Sequence, residues 1–427
     1  MTDADVIIAG AGPAGVATAV ALASRIGAGR VLCLDKARFP RDKPCGGGLT
    51  GHAHAAMAAL GLQVRVARVP CETGRIVYRS CRHDVAMERP VDIVRRREFD
   101  ADLVDQARAR GVEVVAGEGM AAFQVDAAAG QVSVETTRGR RLTARVLVGA
   151  DGAGSKVRKT VAADDHRRPP LRLFQAEVDT PPSLAGEVAG RMIYDFSLMA
   201  RGLRGYLWLF PAPGGRLNVG AMHTPSRGTP KGFRTSRDGL RRAEPGSVHA
   251  SSIKKSGAEI EALLREGLAP YGVTLPDGAR GWPAWRFRSG ARIAAPHLVC
   301  VGDAAGIDAL TGEGIAVGLE HGPIAADAIA RALTSGDFRF ADYGPAVARA
   351  VVGRELALDA RLAAMLYAPR AANLWLSLIL FDRRVQKLYA ARVSGSEVLA
   401  DRGGALFGAL VRHAVAAPAR LARLRAA

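Results

Sequence analysis

The fold is decided by the stretch "DVIIAGAGPAGVATAVALASRIG", residues 5–27. Its first five residues form an apolar run with the length of a short strand, and the alanine-rich part from Pro13 onward is typical of a helix with proline in its first turn. Between the two, Gly10, Gly12 and Gly15 give the pattern G-x-G-x-x-G. The sequence therefore predicts a strand, a tight glycine loop and a helix in direct succession.

A unit of this kind can bind the diphosphate of a dinucleotide. The first glycine permits the tight turn, the second lets the backbone approach the phosphates, and the third lets the helix pack on the strand. The next strand, "RVLCLD" (residues 30–35), ends in an acid that can accept hydrogen bonds from ribose hydroxyls. The residues expected to hold the cofactor in this unit are Gly10, Gly12, Pro13, Ala14, Gly15, Asp35 and Lys36.

The bulk composition is typical of a globular enzyme, with 48% hydrophobic and 23% charged residues in a chain of 427. Its five cysteines are widely spaced and form no C-x-x-C motif, so a disulfide scaffold and a metal site are both disfavoured. The N-terminus carries acids where a signal peptide has basic residues, and no apolar run approaches the ~20 residues of a membrane span. We therefore expect a cytoplasmic protein.

The formal net charge of +18 raises the question of an anionic partner. Scattered arginines and an aromatic content of only 5% argue against nucleic acid. Peripheral membrane contact stays open, because "LWLSLILFDRRVQKLYAARV" (residues 374–393) and the basic tail after Asp401 are able to rest on anionic lipid. A basic helix packed on its own domain is an equally good interpretation, and the oligomeric state is not predicted.

The order of elements favours an α/β class, α+β overall. A discontinuous Rossmann-like domain is interrupted by a mostly antiparallel β-sheet domain and followed by a helical segment. The expected boundaries are 1–70, 91–170 and 288–345 for the nucleotide-binding domain, 71–90 and 171–287 for the inserted domain, and 346–427 for the helical region. Residues 224–256, rich in glycine, proline, serine and basic side chains, are expected to form an exposed loop.

Four motifs occur in a characteristic order. They are the glycine loop, "RREFD" with Arg96 and Asp100, "GADGAGSKVR" with Asp151 and Arg158, and "GDAAGIDALTGEGI" with Asp303, Gly312, Gly314 and Ile315. Together they resemble the FAD-dependent oxidoreductases of the p-hydroxybenzoate hydroxylase superfamily. Within it, "DKARFPRDKPCGGGLT" (residues 35–50) and "GYLWLFPAPGGRLNVGA" (residues 205–221) are similar to the geranylgeranyl reductase branch. The resemblance covers residues 5 to about 326.

The resemblance implies FAD as the cofactor. It places Asp303 at the ribityl and pyrophosphate region, and Gly312, Gly314 and Ile315 at a helix N-terminus that faces the flavin pyrimidine ring. By the same resemblance Cys45, Gly46 and Gly47 lie beside the isoalloxazine, and Arg96 lies near the phosphate or ribityl chain; a solvated arginine at a helix start is the alternative. Asp151 is expected to act indirectly, with Arg158 as an anchor. Ala309 stands where the family usually has proline, which predicts a less rigid loop.

On the substrate side, Tyr206, Trp208 and Phe210 match the branch signature Y-x-W-x-F-P. On a strand these three aromatic side chains share one face, so they predict a wall for a bulky hydrophobic substrate, with an ordinary sheet core as the alternative. Residues 281–290, "GWPAWRFRSG", were expected to supply the opposite wall. The candidate catalytic pocket residues are Cys45, Tyr206 and Trp208.

Two chemistries remain open on this scaffold. One is reduction of isoprenoid C=C bonds with hydride from N5 of reduced FAD; the other is an O₂-dependent monooxygenation through a flavin C4a-hydroperoxide in a dry pocket. No separate nicotinamide-binding domain is recognised, so NAD(P)H is expected as a transient electron donor. The halogenase signature W-x-W-x-I-P does not occur, which disfavours halogenation.

Overall fold

The computed structural model describes residues 2–162, 170–225, 256–277, 279–368, 372–406, 408–409 and 412. Most of the loop expected at residues 224–256 lies outside the described residues, and so does the basic tail beyond residue 412. The predictions that concern these two segments, including membrane contact through the tail, therefore stay predictions.

The strands fall into three sheets. In chain order they are β1 (Val6–Ala9), β2 (Val31–Asp35), β3 (Gly48–Leu49), β4 (Arg68–Tyr78), β5 (Cys81–Val94), β6 (Glu113–Ala116), β7 (Met120–Asp126), β8 (Gln131–Thr136), β9 (Arg141–Ala144), β10 (Val146–Gly149), β11 (Leu171–Asp179), β12 (Arg191–Asp195), β13 (Leu207–Ala212), β14 (Arg216–His223), β15 (Arg280–Ala284), β16 (Ala294–Ala295) and β17 (Leu298–Cys300).

The α-helices cover the sheets and dominate the C-terminal part of the chain. In chain order they are α1 (Pro13–Ile26), α2 (Gly51–Ala59), α3 (Arg96–Arg108), α4 (Lys156–Val161), α5 (Pro182–Val188), α6 (Gly257–Leu268), α7 (Ile315–Ser335), α8 (Tyr343–Arg349), α9 (Val351–Leu366), α10 (Ala372–Phe381) and α11 (Arg383–Val393).

The first sheet has the order β16-β17-β10-β1-β2-β6, and all its neighbours are parallel except β16. Every residue of β1, β2 and β10 is buried, as is usual for parallel strands that are covered on both faces. These strands contain few side chains other than valine, isoleucine and leucine, which fit such a doubly covered position. The predicted Rossmann-like domain is confirmed.

The second sheet has the order β15-β11-β14-β13-β12-β4-β5-β3 and is antiparallel except between β12 and β4. This confirms the prediction of a mostly antiparallel sheet. β4 and β5 extend beyond residues 71–90 at both ends, since β4 begins at Arg68 and β5 continues to Val94. The exact division into domains stays a prediction. β3 pairs with β5, so the glycine-rich loop before it is joined to this sheet.

Helices α1 and α7 pack unusually closely because glycines lie between them. A Cβ on Gly318 would come within 3.0 Å of the Ala14 Cβ, and a Cβ on Gly322 within 2.7 Å of the Ala17 Cβ. Any side chain at these two positions would hold the helices apart. The close contact brings the N-termini of both helices, at Pro13 and Ile315, to one cavity.

The C-terminal helices cover the face of the second sheet that carries the aromatic side chains. Leu376 and Leu380 of α10 belong to the same buried apolar cluster as Tyr206 and Trp208. Residues 374–381 therefore form a largely buried helix, in which Leu374, Trp375, Ile379 and Phe381 are half-buried. Within the described ranges, no helix combines the length and the apolar character that crossing a bilayer requires.

We expect Gly322→Ala to lower the free energy of unfolding by roughly 1–3 kcal/mol, because its methyl group overpacks the contact between α1 and α7. Gly186→Ala is the matched control, since Gly186 also lies in a helix but its Cβ would meet nothing within 4 Å. The control should be unchanged or up to about 1 kcal/mol more stable. Chemical denaturation of both variants measures the difference, and equal stability of the two would contradict the packing argument.

Candidate functional site

A cavity of about 1430 Å³, partly open to solvent, lies between the two large sheets. It receives residues from the glycine loop, the loop before β3, the start of α3, the segment before α7 and the strands of the second sheet. Of the predicted site residues, those that line it are Gly12, Pro13, Ala14, Cys45, Gly46, Gly47, Arg96, Tyr206, Trp208, Asp303, Gly312, Gly314 and Ile315. The structure thus brings together segments that are far apart in the sequence.

The three glycines of the first loop have different positions. Gly10 has φ +110°, and a Cβ on it would lie 2.3 Å from the carbonyl oxygen of Ala150. A Cβ on Gly15 would lie 1.9 Å from the carbonyl oxygen of Gly10. At Gly12 it would meet only the Arg41 guanidinium, at 3.5 Å. Gly10 and Gly15 therefore serve the packing of the chain, whereas Gly12 leaves room at the cavity.

Asp35 is buried and supports the glycine loop. Its carboxylate accepts hydrogen bonds from the backbone N–H of Ala11 at 2.9 Å and of Ala37 at 2.8 Å. Lys36 is exposed. Neither Asp35 nor Lys36 lines the cavity. A carboxylate oxygen can accept more than one hydrogen bond, so the prediction that Asp35 binds a ribose remains compatible with these contacts.

Arg96 is a buried residue and not a solvated one, so the alternative stated for it is wrong. Its guanidinium makes a double hydrogen bond to Asp100 at 2.7 and 2.8 Å, and only 6% of the residue is exposed. Arg41 also pairs with Asp100, at 3.1 Å. Burial opposes the charge of Arg96, but Asp100 outweighs it and raises the pKa of Arg96. The motif therefore holds a fixed positive charge at the cavity wall.

Asp303 follows β17 and pairs with Lys43, whose Nζ lies 3.0 Å from its Oδ2. Burial raises the pKa of Asp303, yet Lys43 and Arg96 together bring it below the ordinary value. The carboxyl group is therefore an anion at neutral pH and accepts hydrogen bonds, as hydroxyl recognition requires. Sequence reasoning missed Lys43, although it directly precedes Pro44 and Cys45 in the quoted loop.

His321 of α7 holds the turn that carries Asp303. Its Nδ1 accepts a hydrogen bond from the N–H of Gly302 at 3.1 Å, so the ring carries its proton on Nε2. Nε2 has no partner among the residues that the structure describes. Burial lowers the pKa of His321 to about 4, and the ring is neutral at physiological pH.

The loop before α7 is held firmly, contrary to the expectation drawn from Ala309. Asp308 accepts hydrogen bonds from the N–H groups of Leu310 at 2.6 Å and Thr311 at 2.7 Å. The hydroxyl of Tyr206 donates to the Thr311 carbonyl at 2.5 Å. Ala309 itself is buried. These contacts fix the loop without the proline.

Cys45 lies in a loop that the second sheet supports. The Asn218 amide accepts a hydrogen bond from the Trp208 indole at 2.9 Å and donates one to the Cys45 carbonyl at 2.7 Å. A Cβ on Gly46 would lie 3.0 Å from the Phe210 ring, and Gly47 has φ +76°. The glycines therefore allow this loop to run close against the aromatic strand.

The aromatic wall is present as predicted. Tyr206, Trp208 and Phe210 all line the cavity and are at most 7% exposed. Tyr194 of β12 completes this wall, with its ring centroid 5.5 Å from that of Tyr206 and 5.1 Å from that of Phe210. A strand places alternate side chains on one face, so the sequence spacing of Tyr206, Trp208 and Phe210 was enough to predict that they share a face.

The opposite wall was predicted incorrectly in part. Of the three aromatic residues in 281–290, only Trp282 lines the cavity. The Trp285 indole donates to the Ala153 carbonyl at 2.6 Å, and Phe287 is buried in the core of the first sheet. The chain has re-entered the first domain by this point, which turns both side chains away from the cavity.

Asp151 and Arg158 have the indirect role expected for them. Asp151 accepts a hydrogen bond from the Lys156 N–H at 2.8 Å, and Arg158 donates to the Ala304 carbonyl at 2.8 Å. Arg158 also lies over the Trp285 ring, 4.9 Å from its centroid. These contacts agree with the predicted anchoring by Arg158, whose role stays a prediction.

The walls of the cavity fit FAD. The first N–H groups of α1 and α7 have no partners within their helices, and both N-termini suit groups with negative charge, such as a diphosphate or a reduced pyrimidine ring. Gly12 leaves space where a phosphate would approach. Asp303 and Arg96 supply an acceptor and a positive charge on the same side.

Comparison with known proteins gives the same cofactor. Residues 3–343 match the family described as FAD binding domain. The menaquinone reductase of Mycobacterium tuberculosis is 31% identical over 390 residues, which cover 86% of this chain and 85% of the relative. The digeranylgeranylglycerophospholipid reductase 2 of Methanopyrus kandleri is 26% identical over 337 residues, 78% of each chain.

A solved structure has the same fold. A geranylgeranyl bacteriochlorophyll reductase-like protein from Thermoplasma acidophilum superposes with a TM-score of 0.69 at 19% identity, over 93% of this chain and 98% of that one. The chain belongs to the family described as FAD binding domain, and its similarity to the digeranylgeranylglycerophospholipid reductase supports the predicted geranylgeranyl reductase branch. The predicted resemblance, the enzyme class and the FAD cofactor are thereby confirmed. The roles of the individual residues stay predictions.

Several residues of this reductase-family site were not found from the sequence. Tyr194, Tyr389 and Arg392 line the cavity without belonging to a recognised motif, and Asn218, which lies beside it, was not singled out within the quoted stretch 205–221. Tyr389 and Arg392 come from α11, in a region whose helices carry no recognised pattern. Their three-residue spacing on one helix face was the only signal, and it is equally typical of a packed helix.

We expect the stability of the protein to fall as the pH drops from about 6.5 to about 4, in part because of His321. The unfolded chain binds a proton on this ring near pH 6.5, whereas the folded protein excludes it until about pH 4, so folding is disfavoured between these values. The contribution is roughly 3 kcal/mol. His321→Gln, whose amide oxygen can still accept from Gly302, should show a shallower acid limb when unfolding is measured against pH; an unchanged limb would contradict this account.

We expect Asn218→Asp to weaken FAD binding by about tenfold, which corresponds to roughly 1.4 kcal/mol. Aspartate still accepts from Trp208 but no longer donates to the Cys45 carbonyl, so that carbonyl loses its partner and the loop its support. Asn373→Asp is the matched control, because Asn373 only accepts a hydrogen bond from Tyr78. Flavin fluorescence titration measures both affinities, and equal values for the two variants would contradict the proposed support.

Proposed function

We propose that the protein reduces C=C bonds in the isoprenoid chain of a lipid or quinone. The observation that carries this proposal is a second, strongly apolar chamber that shares lining residues with the FAD cavity. The names of the relatives support it, since they are reductases of menaquinone and of a digeranylgeranyl phospholipid. The chain therefore acts on a bulky hydrophobic substrate.

The chamber has a volume of about 1240 Å³ and lies between the second sheet and the C-terminal helices. Almost all its lining side chains are hydrophobic, including Ile76, Met87, Phe196, Leu362, Leu366, Trp375, Leu378 and Ile379. Tyr194, Tyr206 and Tyr389 line both the chamber and the FAD cavity. A long apolar chain in the chamber would thus extend one part of its length into the FAD cavity.

The residues at this junction hold the substrate in a dry environment. Tyr206 has a fixed position, because its hydroxyl donates to the Thr311 carbonyl in the loop before α7. Burial raises its pKa well above the ordinary value, so its ring stays neutral. The aromatic rings of Tyr194 and Trp208 complete an uncharged wall that excludes water from the reacting bond.

FAD, when bound and reduced, supplies the hydride for this reaction. The chain orients the substrate between the aromatic wall and the N-terminus of α7, and the positive end of that helix suits the charge of a reduced flavin. Asp303, as an anion paired with Lys43, is placed to accept hydrogen bonds from the ribityl hydroxyls.

We propose NAD(P)H as the transient electron donor. A further opening of about 1380 Å³ meets the FAD cavity at Cys45 and Trp282. Its lining includes Arg95 and Arg216, which both pair with Glu177. It also includes Arg97, which would attract the phosphates of a nicotinamide dinucleotide. Arg97 is exposed, whereas Arg95 pairs with Glu98 and Glu177.

The proposed reaction is tested with the purified protein, FAD, a reductant and two substrates: menaquinone and a digeranylgeranyl lipid. The product should gain two hydrogens per reduced bond in its prenyl chain, as seen by mass spectrometry. Air oxidation before the analysis returns a quinol ring to a quinone but leaves a reduced chain unchanged. A gain in mass that survives this step therefore identifies reduction of the chain.

Three results would contradict the proposal. A gain in mass that disappears on air oxidation would show that only the quinone ring had been reduced. A product that contains additional oxygen, formed only in air, would show the monooxygenase chemistry. No change in either prenyl substrate, although reduced FAD forms, would exclude both substrate classes.

A further inference from the structure

A carboxyl group with no role in the reaction described above lies at the wall of the FAD cavity. Glu313 stands between Thr311 and the N-terminus of α7 and is one of the residues that line the cavity. Its Oε1 accepts a hydrogen bond from the Thr50 hydroxyl at 2.5 Å. Across the residues that the structure describes, Glu313 forms no ion pair.

The nearest cation is already engaged by other carboxylates. Arg392 of α11 pairs with Glu355 and Asp359 of α9, and it is 4% exposed. Asp308 adds another carboxylate beside Glu313 and uses its oxygens for the turn before α7. The local charge therefore favours a neutral Glu313.

The protonation of Glu313 follows from these surroundings. Burial and the nearby Asp308 raise its pKa, and this outweighs the opposing influence of Arg392, Thr50 and His52. The carboxyl group consequently keeps its proton to a higher pH than an ordinary glutamate. A neutral carboxyl group at a cavity wall is able to donate a proton.

A small polar cavity of about 310 Å³ lies behind Glu313. Glu313 and Arg392 line both this cavity and the FAD cavity. On its other side are His52 of α2 and Glu320 of α7, with 3.4 Å between the His52 Nδ1 and the Glu320 Oε1. The hydrogen bond to Glu320 raises the pKa of His52 despite its partial burial. Both side chains are partly exposed, at 16% and 22%.

We propose that Glu313 donates the proton that completes the reduction of the C=C bond, and that His52 and Glu320 return a proton to it from solvent through the small polar cavity. The inference rests on the proposed function. The O–H bond of Glu313 breaks and a C–H bond forms at one alkene carbon, while the other carbon receives the hydride. The substrate gains two hydrogens, reduced FAD loses two electrons, and Glu313 is left as a carboxylate until it is reprotonated.

An isolated C=C bond has particular need of such a group. It carries no carbonyl that could hold the negative charge left by a hydride, so the proton must be supplied at the same site. A positioned general acid contributes about 10²–10⁴ in rate. The apolar chamber offers no other carboxylic acid, since its lining in the described ranges contains no Asp or Glu. Burial raises the pKa of its tyrosines, which makes them weaker proton donors than a carboxyl group.

The test compares Glu313→Gln with the wild-type protein. Glutamine has the same shape and still accepts from Thr50 but has no acidic proton. Binding of FAD, its reduction, and its reoxidation by a dye that takes electrons without forming a C–H bond should be unchanged. Reduction of the prenyl chain should fall by about 10²–10⁴. Glu313→Asp should recover part of the rate. Glu187→Gln is the matched control, because Glu187 lies in α5 and pairs with Arg75 of the second sheet, away from the cavity.

A second measurement does not depend on catalysis. The infrared spectrum of the FAD-free wild-type protein at neutral pH should contain the carbonyl stretch of protonated carboxylic acids, and this band should be weaker in Glu313→Gln; Asp359, whose pKa burial also raises, contributes equally to both spectra. The rate of chain reduction by the wild type should fall as the pH rises through the raised pKa of Glu313. His52→Gln should slow turnover and should be rescued in part by added imidazole.

The outcomes separate the inference from the proposed function. A Glu313→Gln variant that reduces the prenyl chain at the wild-type rate would overturn the inference and leave the function intact. The same holds if the infrared band is equal in both proteins. A wild-type protein that leaves every prenyl chain unreduced would overturn the function and the inference together.

Discussion

The close contact of α1 with α7 is the constraint on which the site depends. Gly318 and Gly322 allow the two helices to approach until the backbone of one meets the side chains of the other. Because α1 follows the first strand and α7 follows the last motif, this contact joins the two ends of the nucleotide-binding domain. Both helix N-termini then face one cavity, and a bound dinucleotide experiences the positive ends of both.

The second sheet is joined to this arrangement by a few hydrogen bonds with definite directions. Tyr206 donates to Thr311, and Asn218 links Trp208 to the Cys45 carbonyl. One bond fixes the loop before α7 and the other fixes the loop before β3. The aromatic wall therefore supports both loops. A substitution in the wall would alter the binding of the cofactor as well as that of the substrate.

The parts of the site that could be predicted from the sequence are those built from local patterns. The glycine loop, the face shared by Tyr206, Trp208 and Phe210, and the segment before α7 each depend on a few consecutive residues. Such residues take their positions from the strand or turn that contains them. The sequence therefore also led to the correct family, because four such segments occur in a fixed order.

The remaining residues depend on contacts between distant parts of the chain. Arg96 could be assigned only when Asp100 and the burial of both were visible, since flanking arginines suggested a solvated side chain. Tyr389 and Arg392 reach the cavity because α11 packs on the second sheet, which no motif indicates. Phe287 was predicted to line the substrate cavity, but it is buried in the core of the first domain, because its segment has already returned to that domain.

The cavity has a different chemical character on each of its sides, and this separation has consequences for any reaction inside it. The apolar chamber is lined almost entirely by hydrophobic side chains, whereas the small polar cavity is lined by His52, Glu320 and Arg392. The loop before α7 divides the two, with Thr311 toward the chamber and Glu313 toward the small polar cavity. A hydrophobic substrate would thus enter through the apolar chamber and a proton through the small polar cavity. A site that excludes water could therefore still receive protons.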